Sequence, residues 1–238
     1  MDLKDKRAIV TGATKGIGRA IAESLIREGA KVVVTSRTAS DVESTVKHLN
    51  RISAASAAGR VCDVRDAEQV KALIEFAVDE FSGLEIVVNN AGLGIFKPVE
   101  ELSVEEWRQT LQTNLDSLFY GCHYALPHLK KEDESFIINI GSLAGKNAFP
   151  GASAYNASKF GLIGFSEALM QEVRHDGVRV AYIMPGSVET WFGGQAPRSE
   201  SWKLSAQDVA DVVIDTLKRH PRCLTSRIEM RPSRPPKK

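Results

Sequence analysis

Short, β-branched apolar runs alternate with longer stretches of helical periodicity along nearly the whole chain. The runs at 8–11, 31–35, 59–62, 84–89, 136–140 and 178–184, with a weaker one at 223–230, predict strands. Several are continuous rather than alternating, as in Val32-Val33-Val34 and Ile137-Ile138, the pattern of parallel strands covered on both faces. Helices are predicted between them at 17–28, 39–51, 67–81, 104–130, 154–175 and 206–219. Asp66 with Gln69, Ser103 with Glu106 and Ser205 with Asp208 each set a small acceptor three residues before an acidic or amide side chain, the spacing of a capping box. Gly29 and Gly177 fall just past helical patterns, where a left-handed residue ends a helix. An α/β alternation with about seven strands predicts an open, doubly wound parallel sheet.

No linker, repeat or change of composition divides residues 1–230, which are predicted to form one domain. Two segments depart from the rhythm. Residues 191–203 are rich in Gly, Ser, Pro and aromatics, and 231–238 carry three prolines and four basic side chains, predicting an extended basic tail.

Charge narrows the function classes. Thirty-one basic residues against 30 acidic give a net charge of +1, without the basic excess that nucleic-acid binding requires. No apolar run approaches the roughly 20 residues that span a bilayer. The charged start, Met-Asp-Leu-Lys-Asp-Lys-Arg, does not have the form of a secretory signal. Cys62, Cys122 and Cys223 are far apart and the five histidines form no ligand pattern, so no metal is expected. Reduced thiols and a cytoplasmic setting are expected instead.

The candidate chemistry lies in three places. Thr11-Gly-Ala-Thr-Lys-Gly-Ile-Gly18 follows a predicted strand and opens a predicted helix. Glycines there let the backbone approach a pyrophosphate, which the free N–H groups of the helix start attract. Tyr155 and Lys159 stand four residues apart, on one face of a helix. A phenol keeps its proton to about pH 10, and a neighbouring ammonium favours the phenolate, so the pair can exchange a proton near neutrality. Ser142 lies thirteen residues before Tyr155, just after a predicted strand. A dinucleotide turn with such a pair points to hydride transfer to or from a carbonyl.

These elements, with Asp63-Val64, Asn89-Asn90-Ala91-Gly92, Asn114, Pro185-Gly186 and Thr190 in this order, resemble the short-chain dehydrogenase/reductase (SDR) family over about residues 5–230. The resemblance implies a Rossmann-type fold binding NAD(H) or NADP(H) along Gly12, Thr14, Lys15, Gly16, Ile17 and Gly18. It implies that Asp63 and Val64 contact the adenine, the Asp63 carboxylate accepting from its amino group. Asn89, Asn90, Ala91 and Gly92 are expected along the ribose–pyrophosphate track. Pro185, Gly186, Val188 and Thr190 are expected to hold the nicotinamide carboxamide. Tyr155 is the expected proton donor, Ser142 its partner on the carbonyl oxygen, and Lys159 the cation that lowers the tyrosine pKa and binds the nicotinamide ribose. Asn114 is expected to hold, through its amide, a water linking Lys159 to solvent.

An acidic residue at the end of the second strand would select NAD. Here Ser36 and Arg37 occupy that position, with Lys15 beside the same pocket, and these cations suit a 2′-phosphate. NADP(H) is therefore expected over NAD(H). Ile95, Phe96, Leu143, Ala144, Phe149, Trp191 and Phe192 are candidate pocket residues for a partly apolar small-molecule carbonyl compound. Within the family the pattern is closest to 3-oxoacyl-(acyl-carrier-protein) reductases, which would make an acyl thioester the substrate. Lys130, Lys131, Arg174 and Arg179 are then either carrier-docking residues or scattered surface cations. The resemblance also implies a homo-oligomer, tetramer or dimer, built through the helices at 104–130 and 154–175. Two alternatives stay open at this level: an alcohol dehydrogenase working in the oxidising direction, and a non-catalytic dinucleotide-sensing protein.

Overall fold

The computed structural model describes residues 1–192 and 201–236. Residues 193–200 of the 191–203 segment, and 237–238 of the basic tail, lie outside the described residues. Seven strands, β1 (Arg7–Thr11), β2 (Lys31–Ser36), β3 (Ala57–Val61), β4 (Ile86–Asn89), β5 (Ser135–Ile140), β6 (Val178–Pro185) and β7 (Arg227–Met230), form one sheet in the order β3-β2-β1-β4-β5-β6-β7. Every neighbouring pair is parallel. The helices are α1 (Gly16–Arg27), α2 (Ala39–Ile52), α3 (Ala67–Phe81), α4 (Val104–Leu111), α5 (Ser117–Leu129), α6 (Ser153–Val173) and α7 (Ala206–Leu217). This is the Rossmann-type doubly wound arrangement that the sequence predicts.

The unbroken apolar runs follow from the two-sided covering of the sheet. Along β1, Ala8 and Val10 pack into one core with α1 and α7, while Ile9 packs into the other with α3 and α5. Val32 and Val34 against Val33 in β2, and Ile86 and Val88 against Val87 in β4, repeat the alternation. Each fully buried Val or Ile contributes about 1.5–3 kcal/mol relative to exposure. The central strands are therefore the most strongly held part of the fold, and the cleft opens at their C-terminal ends.

Two buried asparagines interrupt this apolar interior. Asn89 Nδ2 donates to Asn139 Oδ1 (2.9 Å), and Asn139 Nδ2 donates to Ser166 Oγ (2.9 Å), tying β4, β5 and α6 together. Asn89 thus braces the sheet beside the expected cofactor track.

The main departure from the predicted elements is the helix expected over 104–130. It divides into α4, a π-helical turn over Gln112–Asp116, and α5. Thr110, Thr113 and Ser117 each donate their hydroxyl to the carbonyl four residues back. Such back-bonding bends helices, and the wider turn carries Asn114 into the interior, where it is 2% exposed. The β7 strand is shorter than the 223–230 run, and β3 begins two residues before its predicted start. Ser103–Glu106 and Ser205–Asp208 are reciprocal capping boxes. Asp66 caps α3, but the Gln69 oxygen accepts from the backbone of Asp63 instead of closing the box.

Candidate active site

Strand order reverses between β1 and β4, and at that switch point a cleft of about 630 Å³ runs across the C-terminal ends of the strands. One wall is the glycine turn with Gly12, Thr14, Lys15, Gly16 and Ile17. Gly12 has φ +63°, a left-handed conformation that favours glycine. Gly18 does not line the cleft. A Cβ there would lie 2.4 Å from Asn90 Nδ2 and 2.5 Å from the Gly12 carbonyl, so its glycine is what lets α1 close against the β4 loop. Asn90 fastens that contact, donating to the carbonyls of Thr11 (2.8 Å) and Gly12 (3.2 Å). Thr11 Oγ1 accepts from the backbone N–H groups of Asn90 and Ala91 (3.0 Å each).

The start of α1 is chemically open. It has no side-chain cap and no acidic residue in its first turn, in contrast to α3, α4 and α7, which are capped by Asp66, Ser103 and Ser205. Its first amides and the positive end of its dipole therefore face the cleft without a partner of their own, a donor set that fits a pyrophosphate.

At one end of the cleft Ser36, Arg37, Asp63 and Val64 come together with Lys15. Arg65, absent from the motif order, belongs with them. Its Nε lies 3.0 Å from both Asp63 oxygens and its NH2 group donates to Oδ2 at 2.5 Å. This guanidinium, with a smaller contribution from Arg37, holds the Asp63 carboxyl below its usual range. The Asp63 carboxylate, expected to accept from an adenine amino group, also has a protein partner in Arg65, two residues away.

At the other end lie Ser142, Tyr155 and Lys159, faced by Pro185, Gly186, Val188 and Thr190, with Asn90, Ala91 and Gly92 between the two ends. The Lys159 ammonium donates to the Ile140 carbonyl (3.0 Å) and sits 5.8 Å from the Tyr155 ring centroid. Burial pushes Lys159 down to about 8. It also pushes the Tyr155 phenol above its ordinary value, and the neighbouring Ser142 hydroxyl offsets this only in part. The expected lowering of the Tyr155 pKa by the ammonium is thus reversed. The ammonium lies near the face of the ring, and desolvation dominates. A phenol that holds its proton is suited to giving one up to a developing alkoxide.

Asn114 stands behind this end rather than in it. Its Oδ1 accepts from Leu93 N (2.7 Å), and its Nδ2 donates to Leu93 O (2.8 Å) and to Ser158 Oγ (2.9 Å). Ser158 Oγ in turn donates to the carbonyl of Tyr155 (2.8 Å). The side-chain amide clamps the β4 loop onto α6, in addition to its expected role of holding a water for Lys159. Besides Arg65, the cleft takes in Cys62, Leu93, Gly94, Thr113, Ile140 and Gly141. Arg65 carried a legible signal, a cation two residues from an acid already singled out. The others are brought in by backbone path alone.

A profile of the short chain dehydrogenase family matches residues 6–200, and the chain belongs to that family. It is a nicotinamide-dinucleotide-dependent oxidoreductase of the SDR type. Among its relatives, an uncharacterized oxidoreductase of Staphylococcus saprophyticus is 32% identical over 232 residues, covering 98% of this chain and 99% of that protein. The 3-oxoacyl-(acyl-carrier-protein) reductase FabG of Vibrio cholerae is 37% identical over 190 residues, 80% of this chain and 76% of its own. Among solved structures, an alcohol dehydrogenase of the archaeon Thermococcus sibiricus complexed with 5-hydroxy-NADP superposes with a TM-score of 0.92 at 28% identity, covering 99% of this chain and 100% of that one. A metagenomic short-chain oxidoreductase in complex with NADP gives 0.86 at 30% identity, covering 98% and 100%.

Proposed function

We propose that this protein is an NADPH-dependent reductase that converts a carbonyl to an alcohol, with Tyr155 as the proton donor. The observation that carries this is Tyr155 buried with Lys159 beside Ser142, in the same cleft that begins at the open start of α1. When bound, the dihydronicotinamide supplies the hydride. The substrate carbonyl oxygen accepts from the Tyr155 hydroxyl and from Ser142, which stabilise the growing charge before the phenol proton arrives. Lys159, charged at neutral pH, restores that charge balance and holds the nicotinamide ribose. The rate is expected to fall as pH rises through about 8, where Lys159 loses its proton. Tyr155→Phe tests the assignment: turnover falls on the order of a hundred- to ten-thousand-fold while NADPH affinity is retained. Unchanged turnover removes Tyr155 from the mechanism.

The preference for NADPH over NADH is supported by Arg37 and Lys15 at the Ser36 end of the cleft, with no carboxylate at position 36 to repel a 2′-phosphate. Pro185, Gly186, Val188 and Thr190 are assigned to the nicotinamide end, Asp63 and Val64 to the adenine end. A second reading, reduction of a 3-oxoacyl thioester, is favoured by the Vibrio cholerae relative. A third, alcohol oxidation, is favoured by the Thermococcus sibiricus neighbour. Direction is read by comparing NADPH oxidation with NADP reduction on one substrate pair. We further propose a cytoplasmic homo-oligomer. Three free cysteines support the compartment, and exposed Phe119 on α5 and Phe160 on α6 support the assembly. Light scattering of the purified protein tests the latter.

A further inference from the structure

We infer that the Tyr155 end of the cleft selects carbonyl compounds bearing a flat aromatic group next to the carbonyl, an inference that rests on the reductase reading above. Two phenylalanine rings pack on the Tyr155 ring, and a third packs on one of them. Phe96 lies 5.5 Å from it at 69°, Phe192 lies 5.7 Å from it at 51°, and Phe96 contacts Phe149 (6.0 Å) and Phe192 (6.4 Å at 69°). These separations fall in the range of edge-to-face aromatic packing. Yet Phe96, Phe149 and Phe192 are each 46–47% exposed. All three are exposed side chains beside the phenol positioned for proton transfer. A cluster of exposed apolar side chains at a reactive group is a recognition surface rather than core.

The collar depends on a glycine. A Cβ on Gly94 would lie 2.7 Å from the Phe192 ring and 2.9 Å from the tip of Phe96, so only a residue without one lets both rings approach Tyr155.

The charges around the collar argue against an acidic or phosphorylated substrate arm. Lys97, next to Phe96, donates to Glu106 at 2.5 Å, and Lys146, three residues before Phe149, donates to Glu229 at 2.8 Å. The cations considered for docking a carrier protein lie elsewhere. Lys130 and Lys131 precede β5 and Arg174 precedes β6, while Arg179 is near the start of β6. All four are therefore at the N-terminal edge of the sheet, opposite the cleft. Lys130 is paired with Asp176 (2.6 Å), and Arg179 is buried against Glu134 (3.1 Å). A neutral aromatic carbonyl compound matches what the collar offers. Its carbon gains the hydride, its oxygen gains the Tyr155 proton, the carbonyl π bond is lost, and the nicotinamide is oxidised by two electrons.

The test compares kcat/KM with NADPH for a vicinal diketone carrying a phenyl group, the same diketone carrying a butyl chain instead, and an acetoacetyl thioester. In parallel, calorimetry measures binding of the two diketones to the Tyr155→Phe protein saturated with NADPH. The phenyl compound is expected to lead on the order of tenfold in both readouts. Phe96→Leu and Phe192→Leu are expected to shrink that lead toward parity, and Gly94→Ala, which displaces both rings, to do the same. A phenyl-to-butyl ratio near one in the native protein, a lead that survives all three substitutions, or a preference for the thioester overturns the inference and leaves the reductase reading standing. Reduction of none of the three compounds, with the phenyl diketone still bound by the Tyr155→Phe protein, overturns the reductase reading and the substrate assignment that rests on it.

Discussion

Replacing Lys159 with Met is expected to stabilise the protein while disabling it, and the stabilisation should vanish in alkali. The residue is 5% exposed, its ammonium bonds only the Ile140 carbonyl among the described residues, and desolvation sets its pKa at about 8 rather than the 10.5 of a free lysine. Below about pH 8 both the folded and unfolded chains carry the proton, so the folded state bears the full cost of a buried charge, about 3 kcal/mol from the gap between the two pKa values. Between pH 8 and 10.5 the unfolded chain binds more protons than the folded one, so the native protein gains stability as pH rises through that window. The Met variant keeps the unbranched shape, has no proton to lose and gives up one hydrogen bond, about 1 kcal/mol. Its expected advantage is therefore about 2 kcal/mol at pH 7, crossing to a deficit of about 1 kcal/mol near pH 10.5. Urea unfolding of both proteins across this range measures the difference directly. Tyr155, whose raised pKa makes folding lose stability above about pH 10, sets the upper limit of the useful window. A difference that does not change with pH, or a Met variant less stable than the native protein at neutrality, would refute the argument that desolvation governs this lysine.

Three further outcomes follow from the geometry. Ser36→Asp combined with Arg37→Ala should lower the NADPH-to-NADH ratio of kcat/KM on the order of ten- to a hundredfold, through a lost charge-assisted contact and a new like charge; a constant ratio would place the 2′-phosphate elsewhere. Asn114→Ala should cost about 1–2 kcal/mol in denaturant unfolding, because it strands the half-buried backbone N–H and C=O of Leu93. Asn114→Asp should fail to rescue it, having no donor for Leu93 O or Ser158; full rescue would contradict the clamp. Gly18→Ala should lose about 1–3 kcal/mol and weaken NADPH binding in calorimetry, since the new methyl must displace Asn90 or the Gly12 carbonyl; native-like stability and affinity together would contradict the close packing of α1.

The architecture was legible because it is written in local patterns. Parallel strands buried on two faces read as apolar runs such as Val32–Val34, helix starts announce themselves in pairs such as Ser103 and Glu106, and the glycine turn lies within eight residues. The proton-exchanging pair was legible for the same reason: four residues on a helix share a face whatever the fold. The tertiary structure decided what depends on residues distant in sequence. Asn114 and Asn89 are singled out by their place in the motif order, but nothing local says that the first clamps Leu93 and Ser158, or that the second bonds Asn139. The Tyr155 pKa rose where the pairwise argument lowered it, because desolvation is set by everything packed around a group and not by its neighbour four residues on. The aromatic collar, assembled from positions 96, 149, 155 and 192, likewise exists only once the chain has brought the ends of β4, β5 and β6 together. Local spacing encodes which chemistry is possible. Burial and long-range contact determine which atoms remain free to perform it.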